Sequence, residues 1–271
     1  MLKIRPAAVA GTFYPADAPA LRGAVDRLLA AAAPATRNAP AVKALIVPHA
    51  GYVYSGPVAA SAYAQLAPAT VGIRRVVLLG PAHRVPFRGL ALPGADQFAT
   101  PLGNVAVDAA GAALARRLPQ VADNPLAHAS EHSLEVQLPF LQRVLGDFGL
   151  VPLVVGTATS ESVAEVLDLL WGGPETLIVV SSDLSHYHPY REAQQIDSAT
   201  ASTILDLASR LDHEEACGAT PVNGLLLAAR QRGLVPSLLD LRNSGDTAGD
   251  RRQVVGYAAF GFSEAGSHGA H

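Results

Sequence analysis

The segment ALIVPH, residues 44–49, is a short apolar run that ends in a proline and a histidine. Two later segments have the same form: VVLLGPAH, residues 76–83, and LIVVSSDLSH, residues 177–186. Short apolar runs that end at a breaker or a polar cluster are typical of strands with both faces buried. These three segments therefore predict three central strands, each of which ends beside polar side chains.

Helical patterns separate these strands along the chain. Predicted helices cover residues 20–32, 58–66, 134–145, 160–170, 193–207 and 222–230, and further strands cover residues 151–155, 238–241 and 254–260. Pro57 is expected in the first turn of its helix, and Pro139 either kinks its helix or marks the true start. Strands that alternate with helices predict βαβ units. We therefore expect one α/β domain over residues 1–264, with a largely parallel or mixed central sheet flanked by helices, and a flexible tail over residues 265–271.

Composition narrows the class of protein. Of the 271 residues, 49% are apolar and only 16% are charged, below the roughly 25% that is usual in globular domains. The formal net charge of −3 and the scattered basic residues predict no nucleic-acid partner. No apolar run approaches the roughly 18 residues that a membrane span needs, and the N-terminus lacks the apolar core of a signal peptide. We therefore expect a cytoplasmic protein with no membrane partner, in which the single cysteine stays reduced.

Three predicted strands end at candidate functional side chains. His49 follows the first, His83 follows the second, and Asp183 and His186 follow the third. Because the carboxyl ends of parallel strands line one edge of a sheet, these side chains are expected to converge. Neutral imidazole is the commonest metal ligand in proteins. The pattern therefore predicts a shared site in which two histidines and one anionic ligand hold a metal ion.

Two residues compete for the place of the anionic ligand. Asp183 would complete the two-histidine, one-carboxylate set of non-haem iron oxygenases, whereas Cys217 would give a softer set suited to copper, zinc or iron. Cys217 precedes a predicted helix start at Thr220-Pro221, and a helix N-terminus with partial exposure would favour a reactive thiolate. Residue patterns alone leave this choice open.

The segment HASEH, residues 128–132, carries a second pair of histidines. Because the pair precedes a predicted helix, we expect His132 to orient a ligand or substrate rather than to bind metal together with His128. Glu131 and Glu135 are interpreted as solvated carboxylates in the first turn of that helix.

Common catalytic loops are missing from the sequence. It contains no G-x-S-x-G nucleophile elbow, no Walker A sequence and no G-x-G-x-x-G fingerprint. The run NSGDTAGD, residues 243–250, has no strand–helix context for a phosphate loop and is interpreted as a long turn that closes over the pocket. These absences disfavour an α/β-hydrolase and a nucleotide-binding protein.

Ordered motifs along nearly the whole chain resemble those of the MEMO family, whose bacterial and archaeal members are called AmmeMemoRadiSam system protein B. The motifs are RPAAVAGTFYP (5–15), VPHAGYVYSG (47–56), GPAH (80–83), EHSLE (131–135), SSDLSH (181–186), ACG (216–218) and SGDTAGD (244–250). The resemblance implies a fold related to the LigB-like extradiol dioxygenases.

The resemblance also implies a metal site. It assigns the ligands to His49, His83 and Cys217, and it leaves Asp183 and His186 as pocket residues that orient substrate or shuttle protons. One ion of Fe(II) or Cu is the implied cofactor, and zinc would also suit the ligands. The family name implies AMMECR-type and radical SAM proteins as partners, and the pocket implies a small-molecule or peptide ligand.

Three functions are compatible with such a site. The first is a redox enzyme of the non-haem iron type that modifies a protein or a small molecule. The second is a metal-binding or metal-delivery module without turnover, and the third is a peptide-binding pocket that uses the same histidines. A shared fold does not establish dioxygenase activity, since one fold serves many chemistries.

Overall fold

The structure is a computed structural model that describes residues 2–34, 40–66 and 72–265. The strands are β1 (Ile4–Arg5), β2 (Val42–Val47), β3 (Arg75–Pro81), β4 (Leu90–Leu92), β5 (Gln97–Thr100), β6 (Gly103–Ala106), β7 (Val121–Asp123), β8 (Gly149–Val155), β9 (Thr176–Ser181), β10 (His186–His188), β11 (Leu234–Asn243) and β12 (Val254–Glu264). The helices are α1 (Ala18–Ala31), α2 (Tyr52–Tyr63), α3 (Ala109–Ala115), α4 (Pro125–Ala129), α5 (Leu138–Leu145), α6 (Ser160–Leu170), α7 (Tyr190–Leu205), α8 (Ala219–Gln231) and α9 (Ser244–Thr247). Residues 266–271 of the predicted tail lie outside the described residues.

A mixed sheet forms the centre of the fold. Its strand order is β10-β12-β2-β9-β3-β8-β4-β7, with β11 paired to β12. The strands β2, β9, β3 and β8 are parallel, whereas β12 is antiparallel to β2 and β4 is antiparallel to β8. A small separate sheet has the order β1-β5-β6. The predicted α/β class with a mixed central sheet is therefore confirmed.

Helices cover both faces of the central sheet. In β2, Leu45 and Val47 face a cluster that includes residues of α1, α2 and α5. Ala44 and Ile46 face the other cluster, which includes residues of α3, α6 and α8. Because both faces are buried, the strand has apolar residues at every one of these positions, as the unbroken run predicted.

All six predicted strands lie within β2, β3, β8, β9, β11 and β12. The prediction missed β1, β4 to β7 and β10, because two to four residues are too few to show a periodicity. Pro139 lies in the first turn of α5 and so marks the start of that helix. Among the described residues, no helix is both long enough and apolar enough to cross a lipid bilayer.

The predicted position of Pro57 in a first helical turn is wrong. The helix α2 begins five residues earlier, and Pro57 lies inside it. Gly51 is the N-cap, and its carbonyl accepts a hydrogen bond from the amide of Ser55 at 3.1 Å. The hydroxyl of Tyr52 donates to the carbonyl of Val136 at 2.7 Å. A tertiary contact thus stabilises a helical turn that local propensity alone does not favour.

Candidate metal centre

Two strand ends and the loop after α4 bring three histidines together: His49 follows β2, His83 follows β3, and His132 lies in the loop. The strands β2, β9 and β3 lie side by side in parallel, so the residues after them meet at one edge of the sheet. The ring centroids of His49 and His83 are 5.1 Å apart, and His132 lies 5.4 Å and 4.6 Å from them. One nitrogen from each ring lies within 4.8 Å of the others, an arrangement that could hold a metal ion.

The other predicted site residues lie around this cluster. The Sγ atom of Cys217 is 3.3 Å from Nε2 of His49, just before the start of α8. Asp183 accepts a hydrogen bond from the backbone amide of His49 at 2.7 Å. His186 begins β10 and, with Asp183 and His132, lines the neighbouring cavity. The structure therefore brings all six predicted residues into one region.

A buried hydrogen-bond network determines the tautomer of His49. The hydroxyl of Tyr63 donates to Oε1 of Gln137 at 2.8 Å, so the amide nitrogen of Gln137 faces Ser181 and donates to its Oγ at 2.9 Å. The Ser181 hydroxyl donates its own hydrogen to the carbonyl of Ser133 at 2.7 Å. Nδ1 of His49, 2.9 Å from Ser181 Oγ, must therefore be the donor. Nε2 of His49 therefore carries a lone pair, and the Cys217 thiol lies 3.3 Å from it.

The buried carboxylate of Glu131 determines which ring nitrogen of His83 donates a hydrogen bond. It is 2% exposed and accepts hydrogen bonds from Nδ1 of His83 at 2.9 Å and from the His83 amide at 2.6 Å. Burial opposes ionisation, but these bonds and one from the Ser133 amide lower the pKa of Glu131 to about 2. An ionised carboxylate can only accept, so Nδ1 of His83 carries a hydrogen and donates it to Glu131. The expectation that Glu131 is a solvated carboxylate is therefore wrong.

Glu135 is also buried, contrary to the expectation from the sequence. It forms an ion pair with Arg5 and accepts hydrogen bonds from the amides of residues 8–9, at 2.8 and 3.0 Å, and from the Tyr14 hydroxyl at 2.5 Å. Arg5 also donates to two backbone carbonyls of residues 128–131, at 3.0 and 2.5 Å. The N-terminal motif is thus the structural partner of the loop that carries Glu131 and His132. No sequence signal connects these segments, because more than 120 residues separate them.

The two histidines of the HASEH segment have different surroundings. His128 lies in α4, where its Nε2 is 2.8 Å from the carbonyl of Ala91, away from the cluster. Ser130 ends that helix, so the i, i+4 spacing does not place both rings on one face. In His132, Nδ1 is buried and has no hydrogen-bond partner among the described residues.

The residues of the cluster fit a cation. Burial lowers the pKa of His49 well below its usual value, and the neighbouring His83 and His132 lower it further. Burial lowers the pKa of His132 to about 4, although the charge of Glu131 opposes this. Both rings are therefore neutral near pH 7, the form that binds metals. A metal ion would supply a ligand bond for the Nε2 lone pair of His49 and for the buried Nδ1 of His132, which has no hydrogen-bond partner among the described residues.

Without a bound cation, the side chain of Cys217 is a neutral thiol. Burial and the charge of Asp183 raise its pKa to about 12. The expectation of a reactive thiolate at a helix N-terminus is therefore wrong in the absence of a cation, because desolvation outweighs the effect of the helix dipole. A bound cation would favour loss of this proton, since thiolate is the ligating form.

A cavity of about 810 Å³ opens beside the cluster. His132, Asp183 and His186 line it together with Ser244, Gly249 and Asp250. The segment 243–250 thus borders the cavity as expected, but residues 244–247 form the helix α9 rather than a long turn, because Asn243 caps them. Tyr187 also lines the cavity, with a left-handed φ of 62° and an exposed side chain. Burial raises the pKa of Asp183 to about 7, although backbone amides of residues 49–50 oppose this. Asp183 can therefore exchange a proton near neutral pH at the wall of the cavity.

Asp197 of α7 supports the loop that carries Asp183 and His186. Its carboxyl group accepts a hydrogen bond from the Ser185 amide at 3.1 Å. The same carboxyl group lies directly over Gly256, where any larger side chain would overlap it. Gly256 in turn pairs its backbone with residues 184–185 at 2.8 Å on each side. The loop after β9 is thus fixed by one carboxyl group and one glycine.

We predict that Asp197→Asn changes how stability depends on pH. Burial raises the pKa of Asp197 from 3.8 to about 6, although hydrogen bonds from Ser185 oppose this. A carboxyl group whose pKa is raised by folding destabilises the fold once it ionises, so its penalty develops as the pH rises from about 4 to about 6. The difference between these pKa values corresponds to about 3 kcal/mol.

Asparagine keeps the acceptor for Ser185 but cannot ionise. Unfolding by urea between pH 4 and pH 7 should therefore show the Asn variant gaining stability relative to the wild type as the pH rises. Asp206→Asn, an exposed position at the end of the same helix, is the control and should show no such trend. Parallel pH profiles for the wild type and Asp197→Asn would contradict the assignment.

Comparison with known proteins identifies the family of this chain. A family model described as Memo-like protein matches residues 5–261. A MEMO1 family protein of Methanopyrus kandleri is 37% identical over 279 residues, which cover 95% of this chain and 98% of that protein. A MEMO1 family protein of Aquifex aeolicus is also 37% identical, over 96% of this chain and 100% of that protein.

A solved structure shares the fold. The crystal structure of an uncharacterized protein from Escherichia coli K12 matches with a TM-score of 0.55 and 14% identity, over 81% of this chain and 99% of that chain. This likeness shows that the two chains share a fold and carries no information about chemistry. The family model and the relatives cover nearly the whole chain, and on that basis this protein belongs to the MEMO family.

Proposed function

We propose that this protein binds a single metal ion through His49, His83 and Cys217. The observation that carries the proposal is the hydrogen bonding of the two histidines. Separate buried networks, through Ser181 and through Glu131, engage Nδ1 of each ring, so Nε2 is the nitrogen that each ring would offer to a metal ion. Such outer partners are a regular feature of metal-binding histidines.

The third ligand is chosen between Cys217 and His132. The 3.3 Å between Cys217 Sγ and His49 Nε2 is close to the separation of roughly 3.5 Å that two ligands have when their bonds to one ion are about 2.3 and 2.1 Å. His132 lies on the side of the large cavity, where it can orient a bound ligand. We therefore propose Cys217 as the third ligand and His132 as a pocket residue.

The ligand set bears on which metal is bound. Two imidazoles and a thiolate suit copper and iron, and zinc also accepts such a set. A bound iron or copper ion would supply redox chemistry. Asp183 and His186 would then bind and orient a small molecule or peptide in the large cavity, with Asp183 holding or releasing a proton near pH 7.

On this proposal the protein is a redox enzyme in a protein or small-molecule modification pathway. The sulfur ligand also favours a second function, metal storage or delivery without turnover, because soft thiolate suits Cu(I). Oxygen uptake by the iron-loaded protein with candidate ligands separates the two functions. The AMMECR-type and radical SAM partners expected from the resemblance remain predictions.

Metal content and a spectroscopic signature test the proposed site. Protein purified without oxygen should hold about one equivalent of iron or copper, as a mononuclear site requires. After exchange for Co(II), the wild type should show a sulfur-to-metal charge-transfer band in the near ultraviolet. Cys217→Ser should abolish that band, because serine offers no thiolate.

His132→Ala is the matched control and should keep the band, since the sulfur ligand is unchanged. If the wild-type Co(II) protein has no such band, Cys217 is not a ligand. If His132→Ala rather than Cys217→Ser releases the ion, the third ligand is His132.

A further inference from the structure

A second, smaller cavity reaches the same cluster from another part of the fold. Its volume is about 320 Å³, near the lower end of the sizes that hold small ligands. Residues that follow β3 and β8 and residues around the start of α8 form its walls. Within the described residues it shares no lining side chain with the large cavity.

The two cavities are lined by different residues of the candidate site. Cys217 and His83 line the small cavity, whereas His132, Asp183 and His186 line the large one. His49, which is 2% exposed, lies between them and is 3.3 Å from Cys217 Sγ. A molecule in the small cavity would therefore approach the thiol and His83 without passing the pocket residues of the large cavity.

The cavities also differ in charge. The large cavity has Asp183, Asp250 and Arg252 in its wall. The small cavity has no Asp, Glu, Lys or Arg among its described lining residues, and Phe87 and Val155 contribute apolar surface. The wall of the small cavity also presents hydroxyl and imidazole groups, but no carboxylate, ammonium or guanidinium group among its described residues. An ion would lose hydration there without gaining a fully charged partner, so the small cavity disfavours charged ligands.

We propose that the small cavity is a separate entrance and binding site for a small uncharged molecule, next to Cys217 and His83. The large cavity then remains for the bulkier or charged ligand. This assignment concerns access to the protein's own side chains and holds for the metal-free protein. Its test is therefore independent of whether a metal is bound.

Because Cys217 is the only cysteine in the sequence, the rate at which a thiol reagent modifies the protein measures access to Cys217. In the metal-free protein, the Cys217 thiol attacks the sulfenyl sulfur of an alkyl methanethiosulfonate: a disulfide forms, methanesulfinate leaves and the thiol proton passes to the buffer. We compare 3,3-dimethylbutyl methanethiosulfonate with its cationic isostere, 2-(trimethylammonium)ethyl methanethiosulfonate. Each reagent's rate with Cys217 is divided by its rate with a free model thiol. By this ratio, the uncharged reagent should react at least about tenfold faster than the cationic one, because the cation must shed its hydration.

A bulky substitution at the opening of each cavity shows through which cavity the reagent reaches Cys217. Thr157, exposed at the small cavity, is changed to Trp, and Gln253, exposed at the large cavity, is changed to Trp as the matched control. Thr157→Trp should slow the uncharged reagent about tenfold, whereas Gln253→Trp should leave its rate unchanged. Thermal unfolding checks that both variants are folded. The proposal fails if Gln253→Trp is the variant that slows modification, or if the cationic reagent reacts as readily as its isostere on the wild type.

Discussion

Glu135→Ala is expected to lower the free energy of unfolding by about 3–5 kcal/mol, the usual effect of removing one partner of a buried ion pair. Glu135 has no exposed surface, and Arg5 is 5% exposed, so the guanidinium would stay buried without its countercharge. The Tyr14 hydroxyl and the amides of residues 8–9 would lose their acceptor as well. Urea unfolding at pH 7 measures the change.

A surface ion pair provides the control for this prediction. Asp26 and Arg143 are 2.8 Å apart and largely exposed, so Asp26→Ala should cost only about 0–1 kcal/mol. The double variant Arg5→Met, Glu135→Leu should recover part of the lost stability, because no unpaired charge remains. Equal effects of Glu135→Ala and Asp26→Ala would show that the buried pair contributes little.

His49→Ala is expected to reduce metal affinity at least about 100-fold, beyond the 10–100-fold that loss of an outer partner typically causes. His49 would contribute the lone pair of its Nε2, and alanine offers no replacement ligand. Glu131 is not a proposed ligand and supports His83 and the amides of residues 132–133, so Glu131→Gln should reduce metal affinity by only about 10–100-fold. Competition with a chromophoric chelator measures both affinities.

A half-buried histidine outside the cluster serves as the matched variant. His188 is half-buried at the surface and pairs with the exposed Glu192 at 3.0 Å. His188→Ala should therefore bind metal as the wild type does. If His49→Ala and His188→Ala have the same affinity as the wild type, the ion binds elsewhere and the proposed ligand set is wrong.

The main strands and the strand-end residues were predictable from the sequence. Strands buried on both faces must be apolar at each position, so β2, β3, β8 and β9 appear as unbroken runs. Parallel strands share one carboxyl edge, so His49, His83 and Asp183 had to come close together wherever they lie in the chain. These conclusions need only local composition and the geometry of a parallel sheet.

The protonation and burial of the site were not predictable in the same way. Glu131 and Glu135 have the appearance of first-turn carboxylates, and only the fold buries them against His83 and Arg5. The start of α2 depends on a contact between Tyr52 and Val136, 84 residues apart. A residue's local neighbours do not reveal which distant donor or acceptor will face it, so these features follow from packing.

The sequence by itself thus determined the α/β class and the set of side chains at one edge of the sheet, because periodicity and strand direction are local properties. Only the tertiary structure decided which nitrogen of His49 and His83 donates to a buried partner, that Cys217 is a half-buried thiol, and that two cavities with different charged residues reach the site. Those properties arise from desolvation and from hydrogen bonds between segments more than 30 residues apart, which exist only once the chain is folded.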